Sequence, residues 1–214
     1  MEGYSHLIAG FSTGVLVTQQ FNIPLIITVP TTVLGSLIVD IDKETSVINE
    51  VLFPVKYPIR NLLKTLIGSI MIFFHTFISI YLGLLILTSI TSSRIVYKKT
   101  KNGEKRLEFH RTFFHDPLIG SIIFIIPLLI YEIPSFLIIP YSYGLFSHYL
   151  LDSFTEYGLP FYLLGTKRFR MPFHFKEKNN SKAEKIILSA YVILTCALNP
   201  KILAFVKMIV LLFI

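Results

Sequence analysis

The feature that most restricts this chain is an apolar run over residues 65–90 in which His75 is the one His, Asp, Glu, Lys or Arg side chain. A helix needs about 20 apolar residues to cross a bilayer, so this run is long enough to span one. Further apolar stretches occupy residues 6–20, 23–41, 117–131, 133–151, 186–198 and 201–214. With 53% hydrophobic and 15% charged residues, a water-soluble fold of this length would lack the polar groups to cover such surface. The expectation is an all-α, multi-span integral membrane helical bundle forming one membrane-embedded domain over residues 1–214, closed by a C-terminal helical hairpin at 185–214. The start, Met1-Glu2-Gly3, has neither a basic flank nor a small-residue cleavage site, so the first apolar stretch is expected to stay in place as a structural helix. A single cysteine, Cys196, excludes an intramolecular disulfide or a thiolate cluster and reads as a small buried hydrophobe.

The formal charge of +7 fits nucleic acid less well than membrane orientation. Eighteen of the 20 Lys and Arg residues fall in three polar segments, 43–64, 94–111 and 167–185, while the breaks at Phe21-Asn22 and Glu132 carry no basic residue. By the positive-inside rule the three basic segments face the cytoplasm, which gives a multi-pass protein of the cytoplasmic (inner) membrane in contact with anionic lipid. No specific nucleic-acid binding is expected. One conflict arises: a single crossing by 65–90 would put its two flanking basic segments on opposite sides. The run is therefore expected to return on itself, bending near Ser79 or Gly83, or to lie against the other helices.

Chemistry concentrates in a few histidines and acids at helix ends. His148 and Asp152 stand at i and i+4 and so share one helix face. Asp40 and Asp42 close the second apolar helix, where two neighbouring carboxylates repel unless a cation or donors intervene. His110 and His115 precede an apolar helix that Asp116 caps and Pro117 opens. His6 starts the first apolar helix. With the N-terminus inside, His6, Asp40, Asp42, His110, His115, His148 and Asp152 all fall on the cytoplasmic face. Four imidazoles and three carboxylates suit one or two divalent ions, zinc first and manganese or iron otherwise. His75 and His174 read as structural or solvated. Arg111 can meet an anionic substrate, and Lys167, Arg168 and Arg170 suit lipid headgroups. No P-loop, GxSxG or GxGxxG motif supports nucleotide or serine-hydrolase chemistry.

In order along the chain stand SHLIAG, GSLIVDID, HRTFFHDPL and GLFSHYLLDSFTEYGLPFYLLGTKRFRMP. This set resembles the YdjM-like family of membrane-bound, metal-dependent hydrolases, in which an early His, a PDID-like motif, an HRG-T-HS motif and an SH-x-x-x-D motif follow one another. The resemblance covers residues 5–172. It places His6, then Asp40 and Asp42, then His110, Arg111 and His115, then His148 and Asp152 on the family pattern, with Thr155, Gly158 and Pro172 in its flanking turn and basic stretch. Val39 stands where the family has Pro, Thr112 where it has Gly and Asp116 where it has Ser. The run at 65–90 looks like an insertion between the Asp pair and the HR motif.

The resemblance implies hydrolysis, and the metal reading says how. A bound ion activates water, one carboxylate, Asp42, serves as general base, and Arg111 stabilises a developing anion. The basic rim and interfacial position suggest a small-molecule phosphoester or a lipid-derived substrate. The competing readings are a non-catalytic membrane protein that binds or transports a metal ion, and a membrane scaffold with a structural metal. The nearly apolar outward halves of the helices disfavour a conduit.

Overall fold

The computed structural model describes residues 3–43, 46–55, 59–74, 76–92, 94–100, 103–109, 113–164, 168–174 and 181–199. Its elements are α1 (Gly3–Phe21), α2 (Leu25–Ile38), α3 (Val47–Leu52), α4 (Ile59–Phe73), α5 (Phe77–Ser92), β1 (Arg94–Thr100), β2 (Gly103–Phe109), α6 (Pro117–Ile130), α7 (Ser135–Ser153), β3 (Leu159–Pro160), β4 (Arg168–Phe169) and α8 (Ser181–Ala197). Short 3-10 turns cover Val39–Asp42, Phe113–His115 and Tyr162–Leu164. The fold is all-α with two small two-stranded sheets. It divides into two units: Met1–Ile38 with Phe124–Leu159 and Arg168–Ile214, and Val39–Ile123 with Pro160–Lys167.

In the first unit α1, α2 and α7 pack on one another and α8 packs on α1. The breaks expected at Phe21-Asn22 and at Glu132 are both present, and both use one device. Asn22 (φ 54°) and Glu132 (φ 53°) adopt the left-handed conformation that ends a helix, and a proline two residues on, Pro24 or Pro134, opens the next. Close approach, rather than bulky apolar packing, joins α2 to α7. A Cβ on Gly35 would run into the Tyr141 carbonyl, and one on Gly144 into the Thr32 carbonyl. Small residues at such crossings let helix backbones touch, as in membrane bundles generally. Buried hydroxyls bond within their own helices, Thr13 to the Ala9 carbonyl at 2.7 Å and Thr32 to that of Thr28 at 2.8 Å.

The second unit contains the returning segment. The run at 65–90 folds as α4 and α5, two helices packed side by side, so the expected return is seen. The bend lies between Phe73 and Phe77 rather than near Ser79 or Gly83. Thr76 explains the difference: its Oγ1 accepts from the Ser79 backbone N–H at 3.2 Å and caps α5. Gly83 is instead the crossing point, where a Cβ would lie 2.6 Å from the Gly68 carbonyl. The basic stretch after α5, expected as a loop, forms an antiparallel hairpin running from Arg94↔Phe109 to Thr100↔Gly103. Ile95, Val96 and Tyr97 in the first strand, followed by the sequence Asn102-Gly103, are the signal for it.

Among the described residues one stretch, Leu25–Asp42, is long and apolar enough to cross a membrane, while the apolar helices Phe77–Ile90 and Pro117–Ile130 are shorter. Cys196, expected buried, is exposed on α8. Of the expected C-terminal hairpin, α8 is present, and residues 200–214 lie outside the described residues.

The glycine crossing gives a direct test. Gly144→Ala should destabilise the protein by about 1–3 kcal/mol, as overpacking does, although Ala is the better helix former by about 1 kcal/mol. Thermal unfolding of the detergent-solubilised variant beside wild type measures this, and an unchanged or raised midpoint would contradict the backbone contact.

Candidate metal centre

The first unit brings together three of the residues singled out by sequence. His6 lies on α1, and His148 and Asp152 lie one turn apart on α7; all three are buried. His6 Nε2 stands 3.5 Å from Asp152 Oδ1, and His148 Nε2 stands 3.5 Å from Asp152 Oδ2. The two imidazole rings stack with centroids 3.8 Å apart and planes 16° from parallel.

Ser36, which sequence reasoning passed over, bonds the His148 ring and the His6 backbone. His148 Nδ1 donates to the Ser36 carbonyl at 2.7 Å, and Ser36 Oγ donates to the His6 carbonyl at 2.9 Å. A carbonyl oxygen can only accept, so Nδ1 carries a proton, and the ring turns its Nε2 toward the Asp152 carboxylate. Donors on one tetrahedral ion with bonds of about 2.1 Å lie about 3.4 Å apart. Both His-to-carboxylate distances are close to that value. Two histidines and a carboxylate are a donor set that could hold such an ion, and a ring N–H held by a backbone carbonyl is the usual partner of a metal-bound histidine.

Beyond Asp152, the chain turns as the T-x-x-G pattern requires. The Thr155 hydroxyl donates to the Asp152 carbonyl at 2.8 Å, and the Gly158 N–H donates to the Thr155 carbonyl at 3.0 Å. Gly158 has φ 58°, and a Cβ there would meet the Phe169 carbonyl and the Arg170 side chain. The Met171 N–H then bonds the Ser153 carbonyl at 2.9 Å, which returns the RFRMP stretch to the end of α7.

The second unit holds another part of the predicted set. Asp40 and Asp42, both buried, lie in the 3-10 turn Val39–Asp42. His115 Nε2 meets Asp40 Oδ1 at 3.2 Å. Asp116 caps α6 as expected, with Oδ1 accepting from the Leu118 and Ile119 N–H groups at 2.9 and 3.2 Å. Its Oδ2 also accepts from the Tyr162 N–H at 2.6 Å, so both oxygens serve the backbone.

His110 and Arg111, like Thr112 and Lys167, lie outside the described residues, as does His75. Sequence reasoning missed two further buried residues, Asn49 and Lys64, which bond the backbone between Asp40 and Asp42. It also found no family motif in the last forty residues. There α8 lays three polar contacts along α1: Ser5 with Glu184, Thr13 with Tyr191 and Ser12 with Thr195, each at 2.6 Å.

The order of these motifs, now with buried His and Asp groups that could hold a metal ion, agrees with the comparison to known families. The chain belongs to the YdjM inner membrane protein family, which matches residues 1–214. No curated protein and no solved structure matches it. Membership covers the whole chain, including α4 and α5, which the motif order alone would set aside as an insertion.

Gly158 makes the link from α7 to the basic stretch testable. Gly158→Ala places a Cβ in the left-handed region, at a cost of roughly 1–2 kcal/mol before the clash with the Phe169 carbonyl is added. The variant should melt lower than wild type and be cut faster by trypsin at Arg168 or Arg170; equal cleavage would sink the tethering role.

Proposed function

We propose that this chain is a metal-dependent hydrolase of the inner membrane, with His6, His148 and Asp152 holding a divalent ion. One observation carries the reading: the Ser36 carbonyl takes the His148 Nδ1–H, which turns Nε2 toward the Asp152 carboxylate 3.5 Å away, with His6 stacked beside it. Two histidines and one carboxylate are a ligand set that leaves positions open for water and substrate. Such an ion would polarise a scissile bond and bring the pKa of water toward neutrality.

The chain's own groups have separable roles. Ser36 sets the tautomer of His148, and Asp152 offers one oxygen to each ring. By the family pattern Asp40, His110 and His115 serve as further ligands, Asp42 as the general base that takes the proton of the attacking water, and Arg111 as the group that stabilises negative charge on the substrate. The basic segments suit an anionic phosphoester or lipid-derived substrate.

The membrane reading goes further than one span. Large apolar side chains face outward, among them Ile26 (82% exposed) and Phe73 (77%), while His6, His115, His148, Asp40, Asp42, Asp152 and Lys64 are buried. That distribution supports a multi-pass bundle in lipid with its basic segments on the cytoplasmic side. Cysteines placed at Arg60 and Thr100 should then label with an impermeant maleimide from the same face of intact cells and inverted vesicles. Labelling from opposite faces would remove the proposed topology.

The metal reading is tested by elemental analysis of detergent-purified wild type, His148→Ala and Asp152→Ala. Wild type should carry at least about one equivalent of zinc or manganese and each variant less than about a tenth, as expected when a ligand of a three-donor set is removed. Wild type should also hydrolyse a member of a phosphoester, ester and amide panel, with activity lost on chelation. A wild-type protein that takes up no metal after reconstitution with zinc or manganese would end the hydrolase reading; bound metal with no hydrolysis across the panel would end its enzymatic half.

A further inference from the structure

We propose that Lys64, carried by the α4–α5 pair, is a built-in counter-charge to the Asp40-Ile41-Asp42 turn, holding its carboxylates together and setting the charge that they present to a metal. Lys64 is 3% exposed although it stands at the edge of the polar segment 43–64. Its Nζ donates to the Ile41 carbonyl at 3.0 Å and to Ser89 Oγ at 3.1 Å, and it lies 5.4 Å from the centroid of the Phe53 ring. These groups are neutral, and burying an ammonium is costly unless an anion lies near it.

The bonded carbonyl identifies that anion. Ile41 sits between Asp40 and Asp42, both buried, so an ammonium on its carbonyl stands one residue from each carboxylate. Consecutive Cα atoms are about 3.8 Å apart, and burial leaves such a pair little screened. Asp40 already meets His115, which makes Asp42 the carboxylate that Lys64 balances. Asn49 Nδ2 donates to the same Ile41 carbonyl at 2.9 Å and to that of Lys43 at 2.7 Å, so the turn keeps a neutral anchor of its own. Lys64 adds what Asn49 lacks, a positive charge.

The helical pair is built to deliver it. Gly68 and Gly83 let α4 and α5 cross backbone to backbone, and Lys64 lies one turn before Gly68 on the same face, where it reaches Ser89 of α5. The segment that looks like an insertion in the motif order thus supplies the charge partner of the motif.

The test is a cycle of Lys64→Met, Asp42→Asn and the double variant, with two readouts. Thermal unfolding in EDTA does not depend on the proposed metal reading. Lys64→Met should lower the midpoint, and Asp42→Asn should recover most of that loss; a Lys64→Met effect of equal size in both backgrounds would overturn the proposal. If Lys64→Met alone yields no folded protein, recovery of folded protein in the double variant supports the pairing and its absence overturns it. Manganese binding, followed by electron paramagnetic resonance, is the second readout. Removing one positive charge beside a divalent ion should tighten binding on the order of tenfold, whereas unchanged or weaker binding in Lys64→Met would overturn the counter-charge role. Should no variant nor wild type bind manganese or zinc, the metal reading falls, and the unfolding cycle still decides whether Lys64 balances Asp42.

Discussion

The contact on which the first unit depends is the meeting of two backbones, α2 at Gly35 and α7 at Gly144. Each glycine accepts the other helix's carbonyl where a Cβ would stand. Ser36 follows Gly35 directly, and His148 lies one turn beyond Gly144, on the same face of α7. Only helices that touch this closely allow an imidazole on one to reach a main-chain carbonyl of the other at 2.7 Å. The orientation of His148, and through it the spacing to Asp152, thus follows from two residues with no side chain. Because Ser36 also bonds the His6 carbonyl, α1 is brought into the same arrangement. Crossing, tautomer and ligand spacing form one chain of cause.

Membrane association then has a specific physical meaning for this fold. In water the hydrophobic effect would drive Ile26, Phe73 and Leu62 inward, yet all three are largely exposed. Apolar surroundings provide no drive for apolar side chains to leave the surface, and they penalise any polar group left there. The arrangement that suits lipid gathers hydroxyls, imidazoles and carboxylates inside, where they meet one another or the backbone. The Thr and Ser back-bonds within helices, the α1–α8 hydroxyl and carboxylate contacts and the two His/Asp sets all follow that rule.

Much of this was legible in the sequence, for reasons that differ residue by residue. The helix breaks at Asn22 and Glu132 showed because hydropathy drops there and proline follows. The Asp116 cap showed because an acid before Pro117 has few other roles. His148 and Asp152 showed through i,i+4 spacing, a local relation. Ser36 and Lys64 were not legible, since their importance lies in main-chain carbonyls of residues 112 and 23 positions away, Ser36 offering its own to His148 and Lys64 taking that of Ile41. Lys64 also sits at the edge of a polar segment, where a lysine passes for a solvated one. The hairpin after α5 was hidden because its charge dominates a β-pattern that is only seven residues long on each side. The bend of 65–90 was misplaced because glycine is a weaker signal than a threonine cap when the glycine is needed for packing.

The last turn of α2, in the first unit, and the 3-10 turn Val39–Asp42, in the second, each draw a donor for the same physical reason. The final carbonyls of a helix have no regular intrahelical partners, and they carry the negative end of its dipole. Ser36 lies in that last turn, and Ile41 lies in the 3-10 turn just beyond it; their carbonyls take the His148 N–H and the Lys64 ammonium. Asp40 and Asp42 add two negative charges where the dipole already disfavours them. Such a helix end is favoured by hydrogen-bond donors and cations. An imidazole N–H and an ammonium supply part of that need from within the chain, and a divalent ion would supply more charge than either. The same electrostatics that make the sequence LIVDID unfavourable as a plain helix terminus make it suitable as a place to hold a metal.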